Sequence, residues 1–308
     1  MAKKTAANKG LEGFESFYSQ VYGERWPTLR ASLGEPVRQV ARINQFADVG
    51  SLSNRLGELS LLESPDQVFA PARYVYLGAD QKIPAASDAR KLLDFYFMDP
   101  ASIAAANALE VQEGDEVLDL CAAPGGKSLV LAERLRNAGR LVSNEMSDKR
   151  RGRLRAVLQD YLPPEILERI TVTGHDGVRW CLHETEAFDR VLVDAPCSGE
   201  RHLLADASEM KLWSPARSKN LAVRQYALLA SAHAVVRKGG RLVYSTCSIS
   251  PLENDAVIAR LLKKRAGEVR VLTPEISIGE KTEHGWMLLP DRTGFGPIYF
   301  AILERVSN

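Results

Sequence analysis

The chain has 308 residues, of which 45% are hydrophobic and 26% charged. That is ordinary globular usage, and it excludes a disordered, collagen-like or coiled-coil chain; at ~150 residues per domain the length suggests roughly two domains. Lys and Arg number 40 and Asp and Glu 39, so the net charge is +1, which excludes a whole-molecule basic field and confines any nucleic-acid site to a local patch.

The basic N-terminus MAKKTAANKG has no apolar stretch behind it and does not read as a secretory signal. Phe14, Phe17, Tyr18, Val21 and Tyr22 recur at helical spacing and predict one amphipathic helix. Pro27 and Pro36 bracket a second short helical stretch. Residues 1–99 otherwise show no run of short apolar strands, so a mainly helical N-terminal region is expected there. From residue 100 the pattern changes. Asp99-Pro100 starts a helix. Strands are predicted over 116–121, 140–145, 169–174, 188–194 and 241–247, with helices through about 137, over 149–160 and over 218–237. A further strand near 268–273 and a terminal pair, 286–289 and 298–304, complete the set. Strands alternating with helices mean a doubly wound α/β domain with a mostly parallel sheet, covering 100–308. Ligands of such sheets bind beyond the carboxyl ends of the strands. No run of about 18 apolar residues is present, so no membrane span is expected.

The first predicted strand runs into Cys121-Ala122-Ala123-Pro124-Gly125-Gly126-Lys127-Ser128. Gly126-Lys127-Ser128 looks like the end of a P-loop. However, Cys121 stands where its first glycine is required, and Pro124 removes an amide from a loop meant to cradle phosphates. The dinucleotide pattern GxGxxG is missing. A nucleoside cofactor without pyrophosphate suits a loop with fewer free amides, and Gly125 and Gly126 allow backbone to approach a ligand at a helix start. Glu145 ends the second strand, where a carboxylate can accept from ribose hydroxyls; a helix-capping carboxylate is the competing reading. Asp176 follows the third strand and can meet an adenine amino group, with Gly177 allowing close approach; a plain Asp-Gly turn competes. Together these residues occupy successive strand ends, as an adenosine-containing cofactor such as S-adenosyl-L-methionine needs.

The four cysteines, at 121, 181, 197 and 247, form no CxxC pair and are too sparse for a disulfide scaffold. Four free thiols in a reducing compartment are expected: the cytoplasm, or the mitochondrial matrix if the source is eukaryotic. Cys181 reads as a small buried hydrophobe, and Cys121 as packing under the glycine loop. Cys197 follows Asp194 and the fourth strand, and Cys247 follows the fifth. Carbon 5 of cytosine is too weak a nucleophile to take a methyl group directly. A thiolate adding to carbon 6 makes carbon 5 enamine-like, and hydrogen bonding or protonation at N3 eases that addition.

The set CAAPGGK, DAPCSG and YSTCS resembles the Nol/Nop/Sun RNA cytosine-5 methyltransferases. YGERWPTLRASL, DFYFMDPAS, GERHLL and GFGPIYF are similar to the mitochondrial branch that methylates small-subunit ribosomal RNA. The resemblance implies a Rossmann-like class I methyltransferase fold with S-adenosylmethionine as cofactor. It implies that Cys247 adds to carbon 6, and that Cys197 assists product release, as base for the carbon-5 proton or in the elimination. Asp194 would hydrogen-bond the cytosine and lie near the methyl donor. The loop of Cys121, Ala122, Ala123, Pro124, Gly125, Gly126 and Lys127 would line the cofactor. Glu145 would hold the ribose, Arg150 the polar end, and Asp176 with Gly177 the adenine. Family members often carry Asp where this chain has Glu145. DNA cytosine-5 methyltransferases use a Pro-Cys nucleophile, here Cys197; the second, Thr-Cys cysteine favours RNA.

The densest basic run is Lys149, Arg150, Arg151, Arg153 and Arg155; Arg201, His202, Lys211, Arg217 and Lys219 follow the Pro-Cys loop. Each set is a candidate for phosphate contacts, with a solvated face as the alternative. The target base must be unstacked to reach a thiol. There is no KH or RNP signature. Selection would then rest on RNA shape, on an assembled small ribosomal subunit or on a partner protein; transfer RNA is the second substrate class.

Overall fold

The computed structural model describes residues 6–48, 74–76, 84–135, 138–274 and 276–306. The first five residues of the basic tail, and the predicted helix end at 136–137, lie outside them.

The aromatic stripe folds as predicted. It forms α1 (Ala6–Tyr22), followed by α2 (Trp26–Gly34). Phe14 and Tyr18 are fully buried, whereas Val21 is exposed. Their rings pack on Trp26 and on Trp213 of the α/β part, with centroids 5.2 Å apart for Phe14 and Trp213 and 5.3 Å for Tyr18 and Trp26. Such contacts tie α1 to residues two hundred positions away.

The N-terminal region is not helical alone. Strands β1 (Val40–Ile43), β2 (Tyr74–Tyr76) and β3 (Phe95–Met98) form an antiparallel sheet in the order β2-β1-β3. Sequence pattern missed it for a physical reason. All four residues of β1 are buried, including Arg42, so no polar–apolar alternation is visible. Arg42 pairs with the buried Glu133, which also accepts from Gln45 Nε2 at 2.9 Å.

Asp99 caps α3 (Pro100–Asn107), accepting from the Ala101 N–H. The α/β part then runs β4 (Glu116–Asp119), α4 (Gly126–Leu135), β5 (Arg140–Asn144), α5 (Asp148–Tyr161), α6 (Pro164–Leu167), β6 (Ile170–Thr173) and a 3-10 turn, Gly177–Leu182. Next come β7 (Phe188–Asp194), α7 (Glu200–Ala205), α8 (Ala207–Met210), α9 (Pro215–Val235), β8 (Val236–Thr246), α10 (Asp255–Lys264), β9 (Val269–Leu272), β10 (Glu280–Lys281), β11 (Trp286–Leu288), α11 (Pro290–Thr293) and β12 (Ile298–Arg305). The predicted cap at Ser147 is present: its hydroxyl accepts from the Arg150 N–H.

β8-β7-β4-β5-β6 are mutually parallel, and β12 pairs antiparallel on β8, with β11 and β9 along its far edge. Successive residues point to opposite faces. Val117, Leu192, Val243 and Ile302 enter one core; Leu118, Val191, Leu242 and Leu303 enter the other. A sheet covered on both faces needs strands that are apolar throughout, which is why these runs were legible. From β4 the chain winds outward through β5 and β6 on one side and through β7 and β8 on the other. The reversal opens a crevice at the carboxyl ends of β4 and β7.

Candidate active site

At the end of β4, Asp119 is fully buried and accepts from Ser128 Oγ at 2.6 Å. Ala122 and Ala123 of the following loop are buried and Pro124 is exposed. The glycines have a packing reason. Gly125 sits at φ +121°, and a Cβ there would lie 2.9 Å from Val157 Cγ1 of α5; one on Gly126 would lie 2.9 Å from Tyr96 Cε1. Cys121 is half-buried. Burial, then the charges of Asp119 and Asp194, push its pKa up, so it stays a thiol.

Burial also pushes the Asp119 carboxyl from 3.8 up to about 7, against the Ser128 hydrogen bond. Between roughly pH 4 and pH 7 the folded chain keeps a proton that the unfolded chain loses, so this group's contribution to stability falls as pH rises through that window. Three pH units correspond to on the order of 4 kcal/mol. Asp119→Asn is expected to flatten the decline of Tm between about pH 5 and about pH 8. Thermal melts at both pH values check it, and an unchanged slope would refute it.

At the end of β5, Glu145 is buried; its Oε1 accepts from the Ser147 N–H at 2.9 Å and its Oε2 lies 3.2 Å from Arg150 Nη1. Arg150 Nη2 also donates to the Ala123 carbonyl at 2.8 Å. One guanidinium thus joins the β4 loop to the β5 carboxylate. Beyond β6, Asp176 is half-buried and caps the 3-10 turn through Val178, with Arg224 at 3.7 Å. Gly177 is buried against Leu120 and Leu228, where a Cβ would come within 3.1 and 2.9 Å.

Across the crevice, the Asp194 carboxylate is held at both oxygens. Ser245 Oγ donates to Oδ1 and Lys127 Nζ to Oδ2, each at 2.8 Å. Burial opposes the Lys127 charge, but Asp194's charge and hydrogen bond outweigh it and raise the pKa, so Lys127 remains an ammonium. Sequence reading placed Lys127 in the cofactor loop and missed this pairing, along with Ser245 and Ser102, whose Oγ lies 3.4 Å from Nζ. The signal was the lysine in the first turn of α4, beside the carboxylate ending a neighbouring strand.

Cys197 Sγ and Cys247 Sγ lie 2.6 Å apart, Cys247 exposed and Cys197 half-buried. The hydrogen bond to Cys247, then burial, pushes Cys197 well above the ordinary thiol range. Both cysteines, Asp194, Lys127, Cys121 and Arg150 line one cleft of about 1500 Å³. Of the basic candidates, Arg201 and His202 also line it, whereas Lys149, Arg153 and Arg155 face solvent elsewhere on α5, and Arg217 pairs with Glu209 at 2.7 Å. Cys181 is half-buried against the core beside α9, and its N–H donates to Ser231 Oγ.

Comparison with known proteins decides the family. The family profile described as 16S rRNA methyltransferase RsmB/F matches residues 106–304. The chain belongs to the Nol/Nop/Sun RNA cytosine-5 methyltransferases. It is 33% identical to the 5-cytosine rRNA methyltransferase NSUN4 of Mus musculus, over 98% of this chain and 90% of that protein. It is 34% identical to the mitochondrial tRNA (cytosine(34)-C(5))-methyltransferase of Danio rerio, over 96% and 87%. A methyltransferase homologue from Pyrococcus horikoshii shares the fold at TM-score 0.76 and 24% identity, covering 99% of this chain and 100% of that one. The expected Rossmann-like methyltransferase fold is therefore present. The chain is an enzyme of RNA cytosine-5 methylation, and S-adenosylmethionine is its methyl donor.

Proposed function

We propose that this methyltransferase acts on ribosomal RNA, with Cys247 as the nucleophile, Cys197 as the proton-handling partner and Asp194 as the group that holds the cytosine. The observation that carries the reading is the convergence of both sulfurs and the Lys127–Asp194 pair on one cleft at the strand reversal. The family's 16S rRNA description and the rRNA relative support the substrate class; the tRNA relative keeps transfer RNA as the second reading.

The residues present fit a nucleoside donor. Glu145 and Asp176 put carboxylate acceptors at adjacent strand ends, and Arg150 anchors the loop of Cys121, Ala122, Ala123, Pro124, Gly125 and Gly126 beside them. These would hold the ribose, the adenine and the polar end of the cofactor. When bound, S-adenosylmethionine supplies an electrophilic sulfonium methyl group. The chain's residues do the rest. The half-buried Cys197 keeps its proton, which leaves the exposed Cys247 to attack carbon 6, its own proton passing to solvent as the S–C bond forms. Lys127 keeps Asp194 oriented as it hydrogen-bonds the cytosine edge. After methyl transfer to carbon 5, Cys197 releases its own proton to solvent in the cleft and, as thiolate, takes the carbon-5 proton; the electrons of that C–H bond re-form the carbon 5–carbon 6 double bond, Cys247 Sγ leaves carbon 6 as thiolate, and the methylated base is released.

Among the described residues no helix is long and apolar enough to cross a membrane. Four free cysteines support a reducing compartment, and the mitochondrial relative supports the matrix over the cytoplasm. A partner protein or the assembled small subunit would supply selectivity beyond the cleft.

The test is transfer of labelled methyl groups to ribosomal RNA, to small ribosomal subunits and to transfer RNA, with product analysis. 5-Methylcytosine in the ribosomal pools is expected. Label confined to transfer RNA would replace the substrate assignment.

A further inference from the structure

Beneath the two thiol loops lies a buried carboxylate that sequence reading did not single out. Glu200 opens α7 and is fully buried. Its Oε1 accepts from Tyr18 Oη at 2.7 Å, from Ser248 Oγ at 3.1 Å and from Ser198 Oγ; its Oε2 accepts from the Ile249 N–H at 3.0 Å. Ser198 follows Cys197, and Ser248 follows Cys247, so the same dipeptide, Cys-Ser, ends on one oxygen from two strands. Their hydroxyls are 3.0 Å apart. Gly199, at φ +59°, turns the chain between Ser198 and Glu200, and a Cβ there would lie 3.9 Å from Cys247 Sγ. A second buried carboxylate, Glu253, accepts from the Ser198 N–H at 3.0 Å and from Gln225 Nε2 at 2.8 Å. Gln225 in turn donates to the Pro196 carbonyl at 2.9 Å.

Burying a carboxylate is costly unless it is fully hydrogen-bonded, and an apolar side chain would fill the space without that cost. What the carboxylate provides is direction. All of its donors come from the Pro-Cys loop, the Thr-Cys loop or α1. We propose that Glu200 is a positioning residue for the cysteine pair: by gathering Ser198 and Ser248 on one oxygen it fixes the two loops against each other and sets the separation of the sulfurs. Through Tyr18 it makes that separation depend on the docking of α1. The inference rests on the reading that both cysteines act in methyl transfer.

The experiment measures the thiols directly. Diamide, which takes up the two hydrogens as the thiols join, is added to the full chain, and closure of a Cys197–Cys247 disulfide is followed by peptide mapping. Steady-state methylation and S-adenosylmethionine affinity are measured on the same variants. In Glu200→Gln and in Ser248→Ala, closure is expected to slow by about tenfold or more, and kcat to fall by about ten- to a hundredfold, as a misplacement of ~1 Å would cause. KM for RNA and cofactor affinity are expected to stay unchanged. Closure and kcat at wild-type rates, with only Tm lowered, would make Glu200 a purely structural residue and overturn the proposal. If Glu200→Gln does not fold, the same two readings on Ser248→Ala and Tyr18→Phe decide. Slowed closure alongside a wild-type chain that methylates no RNA would refute the proposed function and leave the positioning role standing.

Discussion

Cys247→Ala is expected to abolish methyl transfer, lowering kcat by on the order of 10⁴-fold or more, as removal of an enzyme's nucleophile does. Without a thiolate to add at carbon 6, carbon 5 stays too electron-poor to accept the methyl group, and no remaining residue substitutes. Cys247 is exposed, so its loss opens no cavity, and Tm is expected to stay at the wild-type value. Cofactor affinity should also hold, because Glu145, Arg150 and Asp176 stand at the ends of β5 and β6, on the far side of β4 from Cys247. Labelled-methyl incorporation, a thermal melt and a cofactor titration on one preparation separate these effects. Substantial residual methylation in a folded, cofactor-binding variant would move the nucleophile away from Cys247.

The distribution of legible and illegible features follows from burial. β4, β5, β7 and β8 could be read because both faces of a parallel sheet demand consecutive apolar residues, such as Val191-Leu192-Val193 and Leu242-Val243, and Phe188–Asp194 forms over the predicted residues. The residues ending these strands were then legible as a site, since topology alone places Cys121, Glu145, Asp194 and Cys247 at one edge of the sheet. β1 and β3 were not legible. They are four residues long, and β1 buries Arg42 through a partner ninety residues away, an arrangement that no local pattern encodes. The same holds within the site. The motif containing Lys127 was visible, but its ammonium meets Asp194 only once α4 stands beside β7. Glu200 reads as one more charged residue at a helix start until Tyr18, Ser198 and Ser248 are seen to converge on it. Gly177 and Gly126 carry a second requirement that the sequence does not encode: a Cβ at either would press on Leu228 or Tyr96.

Cys197→Ala is expected to trap the enzyme on its RNA. The variant keeps Cys247 and the methyl-donor site, so addition at carbon 6 and methylation of carbon 5 still occur. Removal of the carbon-5 proton then lacks its base, and the adduct persists. A denaturing gel should show a slow, RNA-dependent protein band carrying methyl label, and turnover should fall by about 10²- to 10⁴-fold, the usual scale for a lost general base. The geometry alone permits either assignment, because sulfurs 2.6 Å apart can both reach the base. What separates them is exposure to the cleft. Cys197 is the less exposed thiol and is held protonated by its hydrogen bond to Cys247 and by burial. A group that keeps its proton in the resting enzyme is a poor nucleophile but, once it has released that proton to solvent in the cleft, a strong base. The roles would be exchanged if Cys197→Ala formed no adduct while Cys247→Ala accumulated one. In that case, the retained proton at Cys197 would have to be lost before addition.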